Sequence, residues 1–251
     1  MKKLDFMIVG AQKCGTTALS EFLDQHPKIQ MAQGKETHLF DGKQFDSKWS
    51  ADEISNEYES FFPESANADL MGEATPIYLY FPEIAERLTK YNPDLRLIVI
   101  LRDPTERAYS HYLMEYERGN ESKPFWLALL LENYRIAQDE NPRDESSSLR
   151  RHSYRSRGCY ARQLENLLSH FPQEQILVLR NEELRDDHAE TLKRVFEFLG
   201  VPEAQVESRT IFSRESTLSE VPVSSYLLRR SYQRELNVLE QMVHFSVEAW
   251  R

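Results

Sequence analysis

The chain has 251 residues, 40% apolar and 11% aromatic, enough for one sizeable core and a better fit to a single domain over residues 1–251 than to two. With 31 Lys and Arg against 41 Asp and Glu the formal charge is -10, which argues against nucleic acid or an anionic membrane as partner, so any anion must be held by a local cluster. Two cysteines, Cys14 and Cys159, make no disulfide framework, and the short N-terminal apolar run is broken by Asp5 and followed by Lys13; a cytoplasmic chain without a membrane span is the expectation.

In chain order, residues 6–9 read as a strand ended by Gly10, and 16–25 as a helix with Ala18, Leu19, Phe22 and Leu23 on one face before Pro27. Further strands are expected at 29–31, 70–73, 95–101 and 176–179, the run 95–101 being apolar enough for a central buried strand. Helices are expected at 82–91, 104–118, 125–138, 160–171 and 188–199, the last closed by Gly200 and Pro202. The polar stretch 139–148 reads as a mobile loop. The tail from Pro222 reads as a helix packing through Leu227, Leu228, Leu236, Leu239 and Met242. This alternation predicts an α/β fold, with a central, mostly parallel sheet carrying helices on both faces.

The first strand runs into Gly10-Ala11-Gln12-Lys13-Cys14-Gly15-Thr16-Thr17, a glycine-bounded turn opening a helix. Such a turn aims backbone N–H groups and the positive end of the helix dipole at an anion. A nucleotide-triphosphatase loop would carry lysine where Thr16 stands; here Lys13 sits inside the loop, placed to neutralise charge growing on a leaving-group oxygen. A second block, Arg102-Asp103-Pro104-Thr105-Glu106-Arg107-Ala108-Tyr109-Ser110, follows the 95–101 strand. Arginine at the carboxyl end of a parallel strand stands where ligands of open α/β sheets bind, and its planar fork suits a phosphate.

Together with a third block, Arg157-Gly158-Cys159-Tyr160, these segments resemble the sulfotransferases that use 3'-phosphoadenosine-5'-phosphosulfate (PAPS), in a P-loop-like fold. The motifs are most similar to the heparan-sulfate-type branch, the N-deacetylase/N-sulfotransferases and 3-O-sulfotransferases. The resemblance implies that Gly10, Gln12, Lys13, Cys14, Gly15, Thr16 and Thr17 hold the 5'-phosphosulfate, with Lys13 on the bridging oxygen. It gives Arg102, Ser110, Arg157 and Gly158 to the 3'-phosphate, puts Tyr160 near the adenosine, and makes PAP the product without a metal.

The segment Lys35-Glu36-Thr37-His38-Leu39-Phe40-Asp41 resembles the stretch holding the catalytic glutamate of that branch, so Glu36 or His38 is the candidate base, with Asp41 toward the substrate. Glu73, in Gly72-Glu73-Ala74-Thr75-Pro76, falls where those relatives carry glutamate, lysine, threonine, proline, and is read as a second catalytic carboxylate at the substrate or, equally, as a buried partner for an arginine. Ala74 in place of lysine removes a cation and moves the acceptor away from a polyanionic sugar. Segment 208–221 lacks the cysteines of the disulfide-closed loop found there in heparan-type enzymes. The expected reaction is sulfuryl transfer from PAPS to a hydroxyl or amine of a carbohydrate or small molecule. The alternatives are an ATP-dependent kinase, with Asp103 as its metal-holding aspartate, and a non-catalytic nucleotide-binding protein.

Overall fold

The computed structural model describes residues 2–34, 36–63, 68–207 and 222–251, so Lys35 and the segment 208–221 lie outside the described residues. The chain divides into two compact units, residues 1–101 with 165–213 and residues 102–164 with 214–251.

The first unit holds a sheet of five strands, β1 (Phe6–Gly10), β2 (Ile29–Met31), β3 (Leu70–Ala74), β4 (Arg96–Leu101) and β5 (Ile176–Arg180), in the order β2-β3-β1-β4-β5. Every pairing is parallel, as the strand–helix alternation requires. Phe6 to Val9 and Leu97 to Leu101 are fully buried, the continuous apolar pattern of parallel strands covered on both faces. From β1 the chain crosses to β2 at one edge, comes back through β3 beside β1, and then places β4 and β5 on the other side. The carboxyl end of β1 is therefore the point where strand order reverses, the usual ligand crevice of such sheets.

Helices α1 (Thr16–Asp24), α2 (Ala51–Tyr58), α3 (Pro82–Tyr91), α8 (Asn181–Asp186) and α9 (His188–Leu199) belong to this unit. α9 ends at Gly200 with φ 73, the left-handed cap that its glycine and following proline signal. α2 went unread in the sequence, although Ser50 and Glu53 form a reciprocal capping box at its start.

The second unit contains α4 (Pro104–Glu117), α5 (Phe125–Ala137), the short α6 (Ser148–Arg151), α10 (Pro222–Ser231) and α11 (Gln233–Leu239). The division falls inside α7 (Tyr160–Leu168). The tail forms two helices rather than one. Leu228, Leu236 and Leu239 pack as expected, but Leu227 is 61% exposed because it lies on the outer face of α10. No described helix is long and apolar enough to cross a membrane.

Candidate functional site

Since β2, β3 and β1 are neighbours and parallel, the segments leaving their carboxyl ends lie side by side. They are the stretch carrying Glu36, the stretch from Ala74 to Tyr78, and the loop 10–15. The first two, with the start of α1 that follows the loop, line a cavity of about 310 Å³ through Thr16, Thr17, Ser20 and Glu21 of α1, Gly34 and Glu36, and Ala74 and Pro76. The first turn of α1 and the candidate base thus meet at one space, a relation of residues twenty positions apart.

Backbone geometry shapes the loop. Gly15 caps α1 at φ 93, and Lys13 is held at φ 69, a left-handed conformation rare for a residue with a side chain. The Ala11 N–H donates to the Ile100 carbonyl at 2.8 Å, fastening the loop to β4. Asn181, at the start of α8, donates from Nδ2 to the Cys14 carbonyl at 2.8 Å. A Cβ on Gly15 would stand 2.4 Å from that Nδ2, so glycine is required by space as well as by φ. Asn181 was not anticipated; it lies 166 residues from Gly15, and only the pairing of β5 with β4 returns it to the loop. Cys14 is fully buried, and its N–H donates to the Ala11 carbonyl at 3.2 Å.

His38, itself at φ 51, lies between two carboxylates. Its Nε2 is 3.1 Å from Glu36 Oε2, and its Nδ1 is 3.1 Å from both Asp41 oxygens. Partial burial opposes the imidazolium. The hydrogen bonds and charges of Asp41 and Glu36 together outweigh that, and the pKa rises to about 9. Asp41 is only 2% exposed, so its substrate-facing role is corrected: it is covered and engaged by His38.

Glu73 takes the buried of its two readings, with hydroxyls in place of an arginine. It has no exposed surface, and three hydroxyls donate to it: Thr37 at 2.7 Å, Thr75 at 2.8 Å and Tyr58 at 3.1 Å. Burial pushes its carboxyl above the usual range, and these donors offset only part of the rise.

In the second unit Arg102 directly precedes α4. Its Nε and Nη2 donate to Glu106 Oε2 at 2.9 and 2.7 Å, a bond pair along one edge of the guanidinium. Asp103 caps α4, accepting from the Thr105 and Glu106 amides at 2.7 and 3.3 Å, and takes a bond from Arg229 of α10 at 2.7 Å. Burial lifts the Asp103 carboxyl and the Arg229 charge opposes that. An aspartate whose oxygens are so engaged serves the helix start, not a metal. Ser110 is half-buried two turns along α4, while Arg107 and His111 turn inward and are wholly buried. The Arg107 guanidinium donates to the Tyr154 carbonyl.

Two residues of the third block are buried. Tyr160 is fully buried with its hydroxyl on the Arg102 carbonyl at 3.0 Å, so it supports Arg102 from within. Arg157 is 3% exposed, and it donates to Ser153 Oγ at 2.7 Å and to the carbonyls of Leu149 and Arg150 at 3.0 and 2.8 Å. It ties its own segment together from inside. Gly158 fits beneath Tyr232, whose hydroxyl would lie 2.4 Å from any Cβ there and which donates to the Arg155 carbonyl at 2.8 Å. No sequence signal marked Tyr232.

The family model described as "Sulfotransferase domain" matches residues 3–251. The chain belongs to the sulfotransferase family. It is 34% identical over 200 residues to the bifunctional heparan sulfate N-deacetylase/N-sulfotransferase 3 of Homo sapiens, covering 78% of this chain and 22% of that protein. It is 32% identical over 208 residues to the human heparan sulfate glucosamine 3-O-sulfotransferase 3B1, covering 83% of this chain and 49% of that protein. The chain thus spans between about a fifth and a half of the length of these curated relatives. Among solved structures, a sulfotransferase from Alicyclobacillus acidocaldarius superposes with a TM-score of 0.82 at 28% identity, over 100% of both chains. The resemblance to the sulfotransferases and to their heparan-type branch is borne out by these matches, as is the parallel α/β fold.

Proposed function

We propose that this sulfotransferase moves the sulfuryl group of PAPS to a hydroxyl or amine of a carbohydrate or small molecule, with Glu36 as base and Lys13 at the leaving group. The observation that carries this reading is the shared cavity. Thr16 and Thr17, at the positive end of α1, and Glu36 line the same 310 Å³ space, so an anion held at the helix start and an acceptor beside the carboxylate meet there. The volume is at the small end of ligand sites, which run from about 300 to 1,000 Å³. Ala74 on its wall adds no charge for a polyanionic sugar.

The chemistry follows from the side chains. Glu36 takes the proton of the acceptor O–H or N–H as its lone pair forms the new bond to sulfur. The bond from sulfur to the bridging oxygen breaks, and its electron pair stays on the 5'-phosphate of the departing PAP. Lys13 and the α1 dipole stabilise that growing charge. His38 is the poorer base, because an imidazole with a pKa of about 9 is protonated at neutral pH and has no lone pair to offer. As the imidazolium it holds Glu36 and Asp41 apart and in place. Arg102 and Ser110 are assigned to the 3'-phosphate, with Tyr160, Arg157 and Tyr232 ordering the backbone around them.

Labelled PAPS offered with sugars, β-hydroxyacyl chains, small phenols and amines tests the reading. Transfer that persists in a chelator and disappears in Lys13→Ala is the expected result. Phosphoryl transfer from ATP that requires a divalent cation would overturn it.

A further inference from the structure

A carboxylate with no solvent contact is an expensive way to fill space beside a parallel strand, where an apolar side chain of similar size would be cheaper. Glu73 occupies such a position on β3, and what distinguishes it is where its three donors come from. Tyr58 belongs to α2 and Thr75 to the segment just past β3, both parts of the framework. Thr37 belongs to the site loop and stands between Glu36 and His38 in the chain.

The bonds around Thr37 are mutually consistent. Its hydroxyl donates to Glu73 at 2.7 Å, and its N–H donates to Thr75 Oγ1 at 3.2 Å, which itself donates to the same Glu73 oxygen at 2.8 Å. Tyr78 lies 3.3 Å from the Thr37 hydroxyl and accepts the Phe40 N–H at 3.2 Å, gripping the loop at a second point. Other charged or titratable groups near Glu73 are Asp41, whose charge opposes ionisation of Glu73, and Tyr58, Tyr78 and Tyr91, on which Glu73 acts in turn. Main-chain and side-chain atoms of Thr37 are thus both fixed, and with them the direction in which the residues on either side project.

We propose that Glu73 is a positioning residue for transfer: it anchors Thr37, and through Thr37 sets Glu36 and His38 in the geometry that makes Glu36 an effective base. This rests on the assignment of Glu36 as base, but its structural half stands apart from any acceptor. The Glu36–His38–Asp41 arrangement reports on the anchor, since His38 titrates near 9 only while both carboxylates stay within hydrogen-bond reach.

The test is the His38 imidazole titration by NMR in the full chain, for wild type, Glu73→Gln, Thr37→Val and Thr37→Ser, alongside PAP binding by calorimetry. The expected result is a His38 pKa that falls by one unit or more toward 6.5 in Glu73→Gln and Thr37→Val and returns in Thr37→Ser, with PAP affinity changed less than threefold. Once an acceptor is in hand, the first two variants lose kcat at least tenfold with KM for PAPS retained. If Glu73→Gln does not fold, Thr37→Val decides. Titration unmoved from about 9 in a folded Thr37→Val overturns the proposal. Failure of wild type to bind PAP overturns the PAPS reading instead, and leaves the titration to decide the anchor.

Discussion

The loop 10–15, which leads into the α1 wall of the cavity, and the loop 36–41, which brings Glu36 to it, are held by different means. The first is shaped by backbone: left-handed Lys13 and Gly15, an N–H to Ile100, a carbonyl taken by Asn181. The second is held by side chains, Thr37 on Glu73 and Thr75, Phe40 on Tyr78, and His38 between Glu36 and Asp41. A backbone-held loop depends on the absence of a side chain at a few positions, here Gly10 against Leu79 and Gly15 against Asn181. A side-chain-held loop has several points of failure, each of them a hydroxyl or carboxylate with one specific partner.

That contrast can be broken most directly at the chemistry. Glu36→Gln keeps the shape of the second loop and removes the proton acceptor; kcat is expected to fall about 10²–10⁴-fold in a PAPS transfer assay, with PAP binding preserved. A smaller loss would move the base elsewhere. Gly15→Ala attacks the first loop where it has no alternative. A left-handed alanine costs about 1–2 kcal/mol, and its Cβ displaces Asn181, so PAP affinity measured by calorimetry should drop about tenfold or more while the His38 titration stays put. Movement of both would show that the two loops are one unit.

Asn181→Ala removes a single support of the first loop and should cost about 1 kcal/mol, about a fivefold loss in PAP affinity. The smallest effect expected is on the pH dependence of the second loop. Because the folded His38 pKa lies above its ordinary 6.5, the stability it contributes is complete below 6.5 and is lost as pH rises through about 9. Thermal melts of wild type and His38→Gln should therefore converge above pH 9, and wild-type kcat should decline there. A rate that climbs through pH 9 would make His38 the base.

The two loops also differ in how far they could be read beforehand. Gly10 to Thr17 carries its own signature, because the requirement for φ near 90° and for a helix start is local and only glycine and a short list of neighbours satisfy it. Glu36 and His38 were singled out by likeness to heparan-type enzymes, but their arrangement was not legible. Asp41 was expected toward the substrate and is buried on His38; Glu73, open between a catalytic carboxylate and a buried partner for an arginine, is buried on hydroxyls instead. A carboxylate in a sequence does not announce whether its partner is a substrate or a threonine 36 positions away. Tyr160 and Arg157 were placed by resemblance near the nucleotide; that each also holds backbone from within carried no signal in the sequence.

Strand positions, the parallel sheet and the family were determined by the sequence alone, since they rest on apolar periodicity and on motifs whose constraints lie within a few neighbouring residues. Tertiary structure decided which groups share the cavity and which support them. Sheet order β2-β3-β1 brings Glu36 to Thr16, β5 brings Asn181 to Gly15, and the chain fold of the second unit brings Tyr232 over Gly158. The physical reason is that hydrogen bonds and charges act over a few ångströms of space and are indifferent to the number of residues between the partners.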